Sequence, residues 1–534
     1  MQHLLEFMMQ SIVLEQQSDI DAALACMDRA LILDPVFLPA LMRRGTLLQN
    51  AQRHEEAIDC FDLAMRYSPQ LEQARQLRDA ALDLALAHAE QQLADTPDSM
   101  DARAHRAAIL TRMERHAAAL ADYDAVLAAL PENAEARNRR ANLLLAMDQP
   151  ERALAEYDAV LAALPDQVAV MFNRANTLQK MQRLDEAVAA YQQVLALRPH
   201  FAEAKLEQAQ CLLLAGDYAR GWQQHEARWQ TAQLEAHHLP SKAPQWLGDY
   251  PLAGQRLLLW AEQGLGDTLQ FVRYVALAAQ LAQQANPPGQ VLLRVPAPLL
   301  TLLQPLQAEY GIVVSANAAV LPEHDLHCSL MSLPLALADT QNTIPASSAY
   351  LHADTMLSAA WRERLPIENS NSLRIGLAWA GRQYGPVNRS RDLPLERWNA
   401  IVPAAMQAMT GSGNSSLPIF YSLQKDIPAS ELALAETMPD FALLGSDLQD
   451  FADTAALIDN LDLVISVDTA VAHLAAALGK PVWLLLRHSS EWRWLLERND
   501  SPWYPSMRIF RQATPGDWDS VLREVARELY TLRR

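Results

Sequence analysis

An array of paired helices followed by an α/β part with two nucleotide-binding-type lobes is the fold class predicted by this 534-residue sequence. Three observations predict it. Prolines recur at a fixed interval through the first two hundred positions. All 12 Trp, all but three of the 17 Gly and all but eight of the 30 Pro lie beyond residue 221, so helix dominates before that point and turns multiply after it. Beyond residue 250, short apolar runs alternate with glycine turns and helical stretches, the pattern of β-α-β units.

In the helical part, Pro35 and Pro69 are 34 residues apart, and Pro131, Pro165 and Pro199 repeat that interval. Twelve residues before each proline stands Ala23, Ala57, Ala119, Ala153 or Ala187, and eight before stands Met27, Phe61, Tyr123, Tyr157 or Tyr191. The small residue lets two helices approach, and the large one fills the space between pairs. Leu48, Leu110, Leu144 and Leu178 stand 21 before the last four prolines, and each proline closes the second helix of its unit. The spacing and residue types resemble the tetratricopeptide repeat. They predict full units at 4–37, 38–71, 100–133, 134–167 and 168–201, with an out-of-register helical insert or a degraded unit at 72–99 and a capping unit at 202–235.

Stacking is obligatory in such an array, because one helix pair cannot bury its own apolar face. The resemblance implies a superhelix over residues 1–235 with a peptide-binding groove. Asn138, Asn142, Asn173 and Asn176 are its candidate ligands, since their amides can bond an extended backbone. Ordinary solvated amides are the equal alternative.

Charge and cysteine content exclude several classes. With 44 Lys and Arg against 63 Asp and Glu, the formal charge is -19, which argues against nucleic acid as a partner. Cys26, Cys60, Cys211 and Cys328 lie far apart with no CxxC spacing, so neither a zinc site nor a disulfide framework is expected. No metal constellation stands out. The start, MQHLLEFMMQ, lacks signal-peptide features, and no apolar run is long enough to span a bilayer, so the expectation is a cytoplasmic protein without a transmembrane segment.

In the second part, RLLLWAEQ at 256–263 reads as a buried strand running into Gly264, Leu265, Gly266 and Asp267, then a helix. With VLLRV at 291–295 and IVV at 312–314 it makes a first lobe over 250–365. RIGLAWAG, PIFYSLQK, FALLG, DLVISV and PVWLLL then predict strands of a second lobe over 370–534. DLVISV leads into Asp468 and Thr469, which cap a helix AVAHLAAAL that Gly479 ends and Pro481 stops. Two such lobes place ligands in the crevice at the carboxyl ends of their strands.

The helix start at Thr469 presents backbone N–H groups and partial positive charge, suited to a diphosphate. Thr469 and His473 share a helix face. Lys425, Arg389 and Arg391 are candidate countercharges, with capping and surface charge as the plainer reading of each. Asp267 is either an N-cap or, beside two glycines that permit close approach of a substrate, a general base.

GLGDTLQFVRYV and ISVDTAVAHLAAALGKPVW are similar to the glycine-loop and donor-site motifs of glycosyltransferase family nine, the heptosyltransferase type. WAEQGLGDTLQF, YSLQKD, DFADTAALI and DSPWYP resemble its bacterial branch that carries tetratricopeptide repeats. The resemblance implies a GT-B fold of two Rossmann-like lobes and metal-independent, inverting transfer from a nucleotide sugar, ADP- or UDP-linked, with no further cofactor. It assigns Asp267 as base and Lys425, Asp468, Thr469, Ala470 and His473 as donor or phosphate ligands, and Gly264, Gly266 and Gln424 beside them are further donor-site candidates. The repeats would recruit a protein or glycan acceptor. A scaffold without turnover and a nucleotide-sugar hydrolase or epimerase are the alternatives, because fold alone does not fix reaction.

Overall fold

The computed structural model describes residues 2–532 except 69, 232–233, 235–237, 263, 339, 341–342, 346–348, 366–371, 382–390, 411–417 and 490. Its contacts divide the chain into two compact units, Met1–Met181 and Gln182–Arg534. The first is helical throughout its described residues: α1 (Gln2–Gln16), α2 (Ile20–Leu33), α3 (Leu38–Asn50), α4 (His54–Tyr67), α5 (Glu72–Asp95), α6 (Met100–Arg112), α7 (His116–Ala129), α8 (Ala134–Ala146), α9 (Pro150–Ala163) and α10 (Val168–Lys180).

The repeat signature has the packing role that the sequence predicts. Ala23, Ala57, Ala119 and Ala153 are buried, and Met27, Phe61, Tyr123 and Tyr157 fill the space beside them. α2, α7 and α9 each end two residues before their proline, with Asp34, Leu130 and Leu164 pushed out of helical geometry. Each pair turns through one left-handed residue, Ser18, Gln52, Glu114 or Asp148. The next N–H reaches back to the helix, as in Arg53 N to Leu48 O at 2.9 Å and Gln149 N to Leu144 O at 2.9 Å. An acid on each second helix pairs with an arginine 16 residues on: Asp28 with Arg44, Asp62 with Arg78, Asp124 with Arg140 and Asp158 with Arg174. These exposed or half-exposed pairs add little stability singly, but they penalise a slipped register.

The insert is one uninterrupted 24-residue helix, α5, rather than a degraded pair. A single helix shifts the phase of the later repeats. α6 lies beside α4 as well as α5, with His105 on Glu55 at 2.5 Å and Arg112 on Asp59 at 2.8 Å, while Arg78 of α5 donates to Arg112 O at 3.0 Å. The pairs after α5 therefore resume one helix out of step with those before it.

The second unit begins with α11 (Leu184–Leu197), α12 (Ala202–Leu214), α13 (Tyr218–His225) and a tight helical turn, Glu226–Gln230. Beyond these lie two wholly parallel sheets. The first has order β3-β2-β1-β4, with β1 (Arg256–Trp260), β2 (Gln290–Val295), β3 (Val313–Ala316) and β4 (Leu326–Ser329). The second has order β10-β9-β8-β5-β6-β7, with β5 (Arg374–Ala378), β6 (Ile419–Ser422), β7 (Phe441–Leu443), β8 (Leu463–Val467), β9 (Val482–Leu486) and β10 (Met507–Arg511). Every segment expected to be a strand overlaps one, β3 running two residues beyond the expected 312–314. β4 and β10 carry His, Ser and Arg among their apolar residues, which hides them from a search for apolar runs. β8 and β9 are buried throughout, as parallel strands covered on both faces must be.

Helices flanking the sheets include α14 (Leu265–Phe271) after β1, α15 (Val275–Gln284), α16 (Phe451–Asp459), α17 (Ala470–Ala477) after β8, and the terminal α18 (Trp518–Leu532). One continuous apolar cluster runs from Leu213, Tyr218 and Trp222 through Phe271 and Tyr274 to Trp492 and Trp503, so α12 and α13 share a core with both lobes. Among the described residues no helix is long and apolar enough to cross a membrane.

Candidate functional site

Strand order reverses at β1 in the first sheet and between β5 and β8 in the second. Chains leaving such a point diverge and open a crevice at the carboxyl ends of the strands. The glycine loop comes after β1 and the Asp468–Thr469 turn after β8, so both motifs occupy reversal points.

Gly264 has φ +53°, and a Cβ placed there would stand 2.3 Å from Asp267 Oδ2. Any other residue would be strained and would displace the carboxylate. A Cβ on Gly266 would meet His473 Cδ2 at 3.0 Å and Ala470 Cα at 3.6 Å. Gly266 thus allows α14 of one lobe to lie against α17 of the other. The expectation that both glycines leave room for substrate is corrected here, because Asp267 and His473 occupy these faces.

Asp267 is not the N-cap. That position is Gly264, and Asp267 stands in the first turn of α14, where its Oδ1 accepts a hydrogen bond from Arg493 Nη2. Arg493 is buried. Its Nε donates to Gln270 Oε1 at 2.7 Å, its Nη1 to Glu491 Oε2 at 2.8 Å, and its guanidinium lies 4.4 Å from the centre of the Trp492 ring. Glu491 also accepts from Arg391 Nη1 at 3.3 Å. Burial raises the Asp267 carboxyl above the ordinary aspartate range, the Arg493 cation opposes that rise, and Glu491 adds to it.

Across the crevice, Asp468 Oδ2 accepts from Trp494 Nε1 at 3.0 Å, and Asp468 Oδ1 lies 3.9 Å from His473 Nε2. Burial, followed by repulsion from Glu491, pushes Asp468 up to about 6. His473 stacks on Trp494 at 5.4 Å between centroids, and its Nδ1 is 2.8 Å from the Tyr504 hydroxyl. Burial and then the cations Arg493, Arg273 and Arg391 hold the imidazole well below its ordinary value, hence neutral.

Beside this network is a cavity of about 540 Å³ whose lining includes Leu265, Gly381, Gln424, Lys425, Thr469 and Ala470. Thr469 has extended geometry and makes no side-chain cap bond among the described residues; Ala472 N donates to Thr469 O at 3.1 Å, so the first two N–H groups of α17, those of Ala470 and Val471, are the ones offered to another acceptor. Lys425 Nζ donates to Gln449 O at 2.9 Å and has further protons to give. Gln424 is tied down, accepting from Ala380 N at 3.2 Å.

The structure therefore brings Gln424, Lys425, Thr469 and Ala470 to one cavity, and Asp267, Asp468, His473 and Arg391 to the polar network adjoining it. Gly264 and Gly266 permit that junction. Arg389 lies outside the described residues. In the array, Asn142 Oδ1 accepts from Asn173 Nδ2 at 3.2 Å and from the Tyr157 hydroxyl, so these two amides already bond each other. Asn138 Oδ1 is buried without a partner among the described residues, and Asn176 has polar contacts of its own.

Sequence reasoning misses Arg493, Glu491, Gln270 and Tyr504. The string EWRW is the available signal, because a cation between two tryptophans is unlike a surface arginine.

A family model for glycosyltransferase family 9 (heptosyltransferase) matches residues 425–518, and a tetratricopeptide repeat model matches 8–72, 106–168 and 172–233. The gap between the first two repeat matches holds α5. Protein FlbA of Caulobacter vibrioides is 26% identical over 345 residues, covering 61% of this chain and 55% of FlbA. The chain thus spans about half the length of that curated relative. Among solved structures, a tetratricopeptide repeat protein from Parabacteroides merdae is 16% identical, covering 44% of this chain and 96% of its own, with a TM-score of 0.27. YrrB, a TPR protein with an unusual peptide-binding site, is 18% identical, covering 37% and 88%, with a TM-score of 0.21.

Proposed function

We propose that this chain, which carries tetratricopeptide repeats in its N-terminal region and a glycosyltransferase family 9 domain in its C-terminal part, is an inverting, metal-independent glycosyltransferase that uses a nucleotide sugar and a protein or glycan acceptor. The observation that carries this reading is the junction of the cavity lined by Lys425 and Thr469 with a carboxylate, Asp267, on the facing lobe. The nucleoside occupies the cavity, with the diphosphate at the opening of α17 and against Lys425. Asp267 takes the acceptor hydroxyl proton as that oxygen bonds the anomeric carbon, and the bond from that carbon to the diphosphate oxygen breaks on the opposite face. The departing charge falls to the α17 N–H groups, Lys425 and Arg391. The donor is ADP- or UDP-linked and no further cofactor takes part, and the reaction is placed in the cytoplasm. The repeats bring the acceptor, with Asn138 and its neighbours offering backbone bonds.

The test is a calorimetric screen of the full chain with ADP, UDP, GDP and their sugars, followed by transfer assays. Lys425→Ala is expected to weaken binding of the preferred nucleotide by about 1.5–3 kcal/mol, roughly ten- to a hundredfold in Kd, the loss of one charge-assisted hydrogen bond. Unchanged binding would remove Lys425 from the site.

A pH profile tests the base. Because Arg493 favours the ionised form of Asp267, Arg493→Gln is expected to shift the acid limb of turnover to higher pH. An unmoved limb would show that another group is titrating.

A second reading, a nucleotide-binding scaffold without turnover, draws on the Arg493 hydrogen bond that already engages Asp267. Nucleotide binding without transfer across a range of acceptors selects it.

A further inference from the structure

The segment 218–230, the end of the helical repeats, touches the glycine loop on both sides. Before the loop, Arg228 donates through Nε and Nη2 to the two oxygens of Glu262, both at 2.9 Å, and both side chains are buried. Arg228 also holds Glu226 at 2.6 Å and Ser332 at 2.8 Å, and Ser329 donates to Glu262, so the cluster around this guanidinium is fixed from several directions. After the loop, Trp222 meets Phe271 edge to face at 5.9 Å between centroids. Phe271 is the last residue of α14, the helix that carries Asp267.

Trp222 also contacts the other lobe. It lies edge to face with Trp492 at 5.1 Å and with Trp503 at 6.4 Å, and Tyr218 stacks on Trp503 at 5.8 Å. Trp492 precedes Arg493, the residue bonded to Asp267. The Trp222 indole N–H is buried without a hydrogen-bond partner among the described residues, so the ring is held by its shape against aromatic neighbours. Gln182 Nε2 donates to His488 O at 3.2 Å, adding a further contact from the helical segment to the stretch that leads into Glu491 and Arg493.

Resting on the reading of Asp267 as base, we propose that Trp222 and Arg228 are positioning residues, and that the terminal repeat segment sets the spacing between Asp267 and Arg493 across the crevice. The glycine loop then depends on the repeat region for its geometry. The lining of the nucleotide cavity contains none of these residues.

The test compares the full chain with Trp222→Ala, Trp222→Phe and Arg228→Lys. Hydrogen exchange of peptides 265–271 and 491–495 is expected to accelerate in Trp222→Ala, with peptide 518–529, whose buried residues belong to a separate apolar cluster, unchanged as the internal reference. Trp222→Phe, which keeps an aromatic edge, is expected to restore protection. Arg228→Lys, unable to span both Glu262 oxygens, is expected to release 265–271 alone. With the preferred donor, kcat falls about tenfold or more in Trp222→Ala while the nucleoside diphosphate Kd holds, because small displacements of a reacting group cost large factors. Uniform acceleration across all three peptides, or none, overturns the proposal. If the wild-type chain turns over no donor, the glycosyltransferase reading fails, and the exchange pattern still decides the positioning claim.

Discussion

Asp267→Asn is expected to lower glycosyl transfer by about 10²- to 10⁴-fold, the range that a positioned general base contributes, with nucleotide affinity retained. The asparagine oxygen still accepts from Arg493, and Glu491 remains to balance the guanidinium, so the local fold should persist. Asp267→Ala differs, because among the described residues it leaves Arg493 with Glu491 and Gln270 alone as acceptors, and is expected to lose stability as well as turnover. Single-turnover transfer and calorimetry on the two variants separate these effects. Transfer by Asp267→Asn at the wild-type rate would take the base assignment away from this residue.

Arg228→Met is expected to produce the largest loss of stability, about 3–5 kcal/mol, because removing one partner of a buried ion network leaves the others charged and unpaired. Glu262 and Glu226 share that guanidinium, and the Glu262 side chain is only 2% exposed. Replacing both glutamates by glutamine in the same background should recover part of the loss. Denaturation of the chain followed by tryptophan emission measures this, since every tryptophan lies in the second unit. An Arg228→Met penalty below about 1 kcal/mol would mean that water reaches the cluster.

The residues behind these two outcomes differ in how visible they are in the sequence. Asp267 is visible because the strand, glycine, aspartate and helix are consecutive, and local spacing alone brings the carboxylate to a strand end. Its partner Arg493 stands 226 positions later, and nothing local marks it beyond its two tryptophan neighbours. Arg228 and Glu262 escape notice because a charged residue in a helix or at a strand end ordinarily reads as solvated. Only the covering of β1 by the end of the repeats makes them buried. In the array, the 34-residue period locates the helix pairs. The phase change at α5 is not legible, because it depends on whether residues 72–99 bend into two helices or run as one, and no proline or glycine lies within α5 to decide that locally.

By itself the sequence determined the periodic helices, eight of the ten described strands and the two turns at which a ligand can meet backbone N–H groups, since each depends on residues close together in the chain. The tertiary structure decided which side chains face one another across the crevice. Asp267 against Arg493, Gly266 against His473 and Trp222 against three aromatic rings are fixed by strand order and by the packing of the terminal repeat on both lobes, and no local propensity encodes distances between residues hundreds of positions apart.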